Sequence, residues 1–369
     1  MYRRPFRLVA ALFVALFVLS RYAPALGGEA PGDAPAAPPT EAPGDAPAAP
    51  PTEAPADADA DAEKITYETP EKVAIGVHLN DIQSIDLKTH SYAMDFYVWF
   101  RWKNPELDPA TSMEIANPIE QWGLMVTPLY EEPEALEDGT LYQVLRVQGT
   151  FSKKLPLYNY PFDRQTLAII IEDSVNDTTG IVYVPDSAEP SMNPSLQLPG
   201  YHVGTPGFNV ANWHYNTNFG DPRTGADTTY SRATLNVPIS RPPIAYSTKL
   251  FLPVLCVVLC ATLMFLLSPT MVDSRVDVGI TSLLTIVALQ MTYSSDLPDV
   301  GYLMLMDKVY LLAYGFVIIG LAVVVHTTRM AENGKSDRAV VLHSRMLSLL
   351  SAVWVVSMGV LVTTAMGEG

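Results

Sequence analysis

The sequence predicts an all-β exported sandwich followed by an all-α membrane domain of four helices. Three observations carry the prediction. Short alternating apolar runs fill the stretch from Ile65 to Tyr246, four long apolar segments follow Tyr246, and the N-terminus runs from basic to apolar to small residues.

The leader, residues 1–28, opens with Arg3, Arg4 and Arg7, continues as LVAALFVALFVLS and exits through APALGG. That order is a secretory signal peptide, with cleavage expected near Ala25 or Gly28. The apolar run is shorter than the ~20 residues a span needs, which argues against a retained anchor. Residues 29–63 carry the tandem repeat EAPGDAPAAPPT and then ADADADA. Proline, alanine and acid cannot bury a core, so this segment is an extended disordered linker with no chemical role.

Residues 64–246 form the sandwich. KVAIGVHL, SYAMDFYVWFRW, TLYQVLRVQGTF, QTLAIIIED, GIVYVP and ATLNVPIS are strand-like runs jointed by Pro and Gly. They indicate an antiparallel, immunoglobulin-like sandwich of about ten strands. Short helices fit at DPATSMEI and EKIT. The only two cysteines, Cys256 and Cys260, lie on neighbouring turns of the first apolar segment, where core packing is expected. The exported domain has none, so packing alone must hold it.

Residues 247–369 hold spans at about 248–267, 275–295, 303–326 and 340–364, each near bilayer length. Arg329, Lys335 and Arg338 crowd the link between the third and fourth, whereas SSDLPDVG, between the second and third, carries only acids. The basic link faces the cytoplasm and the sandwich lies outside.

The second span is polar where lipid penalises polarity. Asp273, Asp277, Thr281, Leu284, Ala288, Met291 and Ser295 advance by fours and threes and so share one helical face. Exposing a charge to lipid costs ~2.5–3.5 kcal/mol or more, so such a face turns to water or to a partner. Copies of this helix around an aqueous axis would set Asp277 as a carboxylate ring and Leu284 as an apolar ring. Acid rings select cations and apolar constrictions close pores by dewetting. Competing roles are an N-cap for Asp273, pairing with Arg345 for Asp277, and bonds back to the helix for Thr281 and Thr285.

This constellation resembles the pentameric ligand-gated ion channels (the Cys-loop receptor superfamily), in their prokaryotic branch and without the disulfide. The resemblance rests on YNYPFDRQTL (Tyr158 to Leu167), WKNP at Trp102, SRPP with Arg241, Pro253 and the LP closing the striped span. Eukaryotic members join two cysteines around the Pro-Phe-Asp loop; here Leu167 stands at the second position and a lysine near the first. The cytoplasmic link, 327–337, is short.

The resemblance implies a homopentamer in a lipid bilayer, placed in a bacterial inner membrane with the sandwich in the periplasm. Pro161, Phe162 and Asp163 would press into the outer link Ser294 to Gly301, which includes Pro298, and Asp163 would pair with Arg241, joined by Asp86. Agonists of the family bind between adjacent sandwiches. Ser174 stands where animal receptors keep a key Trp, Phe219 and Tyr230 offer a mobile lid, and Tyr130 and Glu131 open an acidic run ending at Asp138. The agonist is unknown, and calcium or proton modulation stays open. Monovalent cations are the expected permeant ions, with no cofactor; any metal site is unknown.

Other classes fit less well. The chain has a net charge of -16, which disfavours nucleic-acid binding. It shows no phosphate loop, metal-spaced His/Cys set or nucleophile elbow, so an enzyme is not expected. A secondary transporter would show more spans and internal symmetry. A non-conducting, membrane-anchored binding or sensor protein is the nearest alternative, but it gives Asp277 no reason to exist.

Overall fold

A computed structural model describes residues 69–186, 190–220, 227–268 and 270–368. The leader, the linker and EKIT lie outside the described residues. The sandwich comprises β1 (Glu71–Asp86), β2 (Ser91–Trp102), β3 (Met113–Ile115), β4 (Met125–Pro128), β5 (Glu134–Ala135), β6 (Leu141–Ser152), β7 (Arg164–Asp173), β8 (Ile181–Pro185), β9 (Ser191–Met192), β10 (His202–Val203), β11 (Gly207–Tyr215) and β12 (Thr228–Ser240). One sheet runs β4–β6–β2–β1–β8, with β5 on β6 and β9 on β1; the other runs β10–β12–β7–β3, with β11 on β12.

Period-two alternation builds the core between the sheets. Val73, Ile75, Val77 and Leu79 of β1 face inward beside Phe96, Val98 and Phe100 of β2, and Leu167, Ile169 and Ile171 of β7 meet Leu235, Val237 and Ile239 of β12. Two features differ from expectation. The pairings of β1 with β8 and β9 are parallel, because those strands return over long connections. DPATSMEI is a turn leading into β3, not a helix. The Asp108 carboxylate accepts from the Ala110 and Thr111 amides and the Thr111 hydroxyl, which holds a turn in place of a helical one.

The four helices are α1 (Pro243–Leu266), α2 (Val272–Ser295), α3 (Leu305–Glu332) and α4 (Ser336–Glu368), each long and apolar enough to cross a membrane. α1 begins within SRPP, ahead of the expected boundary at 247, because proline suits a helix's first turn. The 28 residues of α3 make a rod of about 42 Å, longer than the ~30 Å hydrocarbon core of a bilayer. α4 is longer still, and Gly334, at φ 74°, makes the tight turn between them. Cys256 and Cys260 are free and exposed on α1, opposite the buried Val254, Val258 and Ala261, which corrects the expectation that they are core.

Candidate functional site

α2 has two unlike faces. Arg275, Gly279, Ser282, Ile286 and Tyr293 are buried against the other helices. Asp273, Asp277, Thr281, Leu284, Ala288, Met291 and Ser295 are all exposed, Leu284 at 64% and Met291 at 70%, so within one subunit nothing covers the stripe. The helix is set by close packing on α3. A Cβ added at Gly279 would lie 2.3 Å from Leu321 Cδ2, so only glycine lets the two helices approach this closely. The Tyr314 hydroxyl donates to Gln290 Oε1 at 2.6 Å.

Two competing roles fall away and one stands. Asp273 sits inside the first turn of α2, whose N-cap residue is Met271, so it is not the cap. Its charge still lies at the positive end of the helix dipole. Asp277 and Arg345 are both exposed, and among the described residues no ion pair joins them. Thr285 does donate back to the Thr281 carbonyl at 2.8 Å.

At the foot of the sandwich, Arg241 Nη1 donates to Asp163 Oδ1 at 2.5 Å, with both residues buried. Gln165 Nε2 donates to the other carboxylate oxygen at 2.6 Å, and Arg241 Nη2 to the Tyr201 hydroxyl at 2.8 Å. The guanidinium lies over the rings of Tyr160 and Tyr201, 4.7 and 4.8 Å from their centroids. Asp86 is not part of this network. The Thr89 hydroxyl and the Lys88 amide occupy its carboxylate and hold it below the usual range, so the β1–β2 turn satisfies it locally. Lys88 instead reaches the membrane domain, donating from Nζ to the Ser295 carbonyl at the end of α2 at 3.1 Å.

The Pro-Phe-Asp loop lands differently from expectation. Phe162 stacks on Phe251 of α1, with centroids 6.1 Å apart, rather than on the outer link. Pro161 follows a cis peptide bond and is buried. Contact near the link runs through neighbours of the loop. Tyr158 stacks on Tyr302 at 3.8 Å, the Leu305 amide donates to the Tyr158 carbonyl at 2.9 Å, and Tyr160 packs 6.0 Å from Tyr293 of α2. Pro298 is half-buried beside the buried Leu297.

Of the ligand candidates, Phe219 and Tyr230 converge. Both meet Tyr215 edge-on, at 5.4 and 5.9 Å. The same cluster contains groups the sequence reading passed over. Arg232 lies 3.9 Å over the Trp213 ring and is ion-paired with Glu172, and the Tyr215 hydroxyl donates to Glu172 Oε2 at 2.9 Å. The alternation of Trp213 and Tyr215 opposite Tyr230 and Thr228 was the available signal. Ser174 is held elsewhere, its hydroxyl donating to the Ser112 carbonyl at 2.9 Å. Tyr130 is edge-on to Tyr142 on the other sheet, and Glu131 is exposed. Residues 221–226 of the expected lid lie outside the described residues. No group of three or more His, Cys, Asp or Glu poised for a metal occurs among the described residues.

A sandwich joined by a buried ion pair to four membrane-length helices is the build of a multi-pass membrane protein with an extracellular N-terminal domain. No family model matches the chain. It is 25% identical over 185 residues to the gamma-aminobutyric acid receptor subunit beta of Caenorhabditis elegans, covering 50% of this chain and 32% of that one. It is 22% identical over 274 residues to the human glycine receptor subunit beta, covering 67% and 53%. Over 270 residues it is 21% identical to the proton-gated ion channel of Gloeobacter violaceus, covering 69% and 72%. The chain thus spans only 32% and 53% of the length of the two animal receptor subunits. With the fold, these likenesses make the chain similar, at 21–25% identity, to proteins named as receptor subunits and a proton-gated ion channel.

Proposed function

We propose that the chain is the subunit of a homopentameric, cation-selective ligand-gated channel in a bacterial inner membrane, with its sandwich in the periplasm. One observation carries the reading: every residue of the α2 stripe is exposed in the single subunit, including two carboxylates. Five such helices would bury the stripe around water, with Asp273 and Asp277 at the inner mouth and Leu284 at the waist. An agonist or proton acting on the sandwich would move the Asp163–Arg241 foot, which touches α1 through Phe162 and lies beside α2 through Tyr160. Monovalent cations are the permeant ions. The agonist, and any calcium or proton modulation, belongs to the Trp213–Tyr215–Phe219–Tyr230 cluster or to the acidic loop at Glu131.

Selectivity rests on charge, because the relatives' names include a pH-sensitive chloride channel as well as a proton-gated channel. Purified protein in planar bilayers under a salt gradient tests it. A reversal potential near that of the cation supports the reading; anion preference, or no current with any stimulus, counts against it.

A further inference from the structure

At the inner end of the helical bundle a guanidinium is buried with no carboxylate beside it. Arg275 is 0% exposed, yet it lies on α2 midway between Asp273 and Asp277, on the opposite face. Its Nε donates to the Met264 carbonyl at 2.8 Å and its Nη2 lies 2.7 Å from His343 Nδ1 of α4; Nη1 has no partner among the described atoms. His343 Nε2 meets the Phe265 carbonyl. Met264 and Phe265 lie in the last turn of α1, where carbonyls lack helical partners and carry the negative end of the dipole. Two side chains therefore tie α1, α2 and α4 at one point.

The hydrogen bonds fix the protonation state. Arginine only donates, so His343 Nδ1 is the acceptor and Nε2 carries the hydrogen toward Phe265. A second proton would sit on Nδ1, end the bond to Arg275 and bring an imidazolium against a guanidinium. No facing group compensates. α1 supplies only carbonyls, and α2 turns Asp273 and Asp277 outward. α3 buries Thr327 and Thr328 and exposes His326 and Arg329, while Asp337, Arg338 and Arg345 of α4 are exposed.

We propose that Arg275 and His343 are positioning residues, forming a proton-sensitive clamp that fixes the inner end of α2 and so the placement of Asp273 and Asp277. Neutral His343 closes the clamp, and cytoplasmic acid opens it. Only the effect on conduction rests on the channel reading.

His343→Gln tests the clamp, because glutamine can accept from Arg275 and donate to Phe265 but does not titrate. Full-length protein in nanodiscs should lose about 2–4 °C more in melting temperature than the variant between about pH 7.5 and 5.5. Arg275→Gln, which removes the second cation, should also flatten that slope. In inside-out patches, cytoplasmic acid should change the wild-type current by about twofold or more and leave the His343→Gln current unchanged. Equal slopes for all three proteins overturn the clamp. If neither variant folds, histidine ring nitrogen shifts of the unmodified protein decide: the Nε2–H tautomer at neutral pH supports it, Nδ1–H or imidazolium overturns it. Differing slopes without current would sink the channel reading and keep the clamp; currents with equal slopes would do the reverse.

Discussion

Arg241 and Asp163 meet at 2.5 Å with side chains only 2% and 4% exposed, where β12 passes into α1. The pair joins the Pro-Phe-Asp loop to the first residues of the membrane domain. Tyr160 and Tyr201, with ring centroids 4.7 and 4.8 Å from the guanidinium, help screen it from water.

Removing one member of a buried pair strands the other, at a cost of about 3–5 kcal/mol. Asp163→Asn keeps the shape, and Tyr201 and the rings still hold Arg241. This variant should assemble and reach the membrane but give no evoked current. Arg241→Ala strands the Asp163 carboxylate and should also melt lower. Size-exclusion profiles with current recordings check both, and wild-type currents from either would remove the coupling role.

The exposed Leu284 carries the next expectation. In the proposed pore a ring of leucines would repel water, so Leu284→Ser should wet the waist and raise resting conductance. Asp277→Asn should leave gating in place and move the reversal potential in a salt gradient toward zero. A parent-like resting current in the first variant, or an unmoved reversal potential in the second, would contradict the assignments.

Acid sensitivity of the sandwich has a definite sign. Arg146 donates to Asp95 from Nη2 at 2.7 Å and from Nε at 3.1 Å, and Asn80 donates at 2.8 Å. The Arg146 hydrogen bonds hold the Asp95 carboxyl below its ordinary 3.8, outweighing desolvation, with Asn80 adding to them. Because the folded value is depressed, this stabilisation is full above the unfolded value and fades as pH falls through the folded one. Asp95→Asn should lower the melting temperature at neutral pH and flatten its decline below about pH 4. An acid limb as steep as the wild type's would contradict this.

The long elements were legible because burial writes a period into them. The runs from SYAMDFYVWFRW to ATLNVPIS match strands among β2 through β12 to within one residue of containment, and the expected spans 248–267, 275–295, 303–326 and 340–364 overrun α1 through α4 by at most two residues. β11 was missed: GFNVANWHY buries little and is a strand because it pairs with β12 along its whole length. The two-residue β5, β9 and β10 are too short to carry any period. Parallel pairing of β1 with β8 is set by distant chain and leaves no local trace. Within α2 the polar stripe was readable, but Arg275 was passed over. Its phase with Gly279, Ser282 and Ile286 was the signal, a basic residue on the packing face of small side chains.

That packing face yields the last expectation. Gly279 is buried, and a Cβ there would come within 2.3 Å of Leu321 Cδ2 and 2.8 Å of its Cγ. Turning χ2 moves only the methyl groups, so clearing the Cγ needs a new χ1, for which a helix leaves Leu321 few choices. Gly279→Ala should force the helices apart at a cost of about 1–3 kcal/mol, as overpacking does. The same shift would turn the Asp277 and Thr281 face relative to the proposed pore axis. Leu321→Ala should make room, so the double variant should recover part of the loss in melting temperature and, if α2 lines the pore, part of the current. Additive losses in the double variant would mean that the two residues do not share this contact.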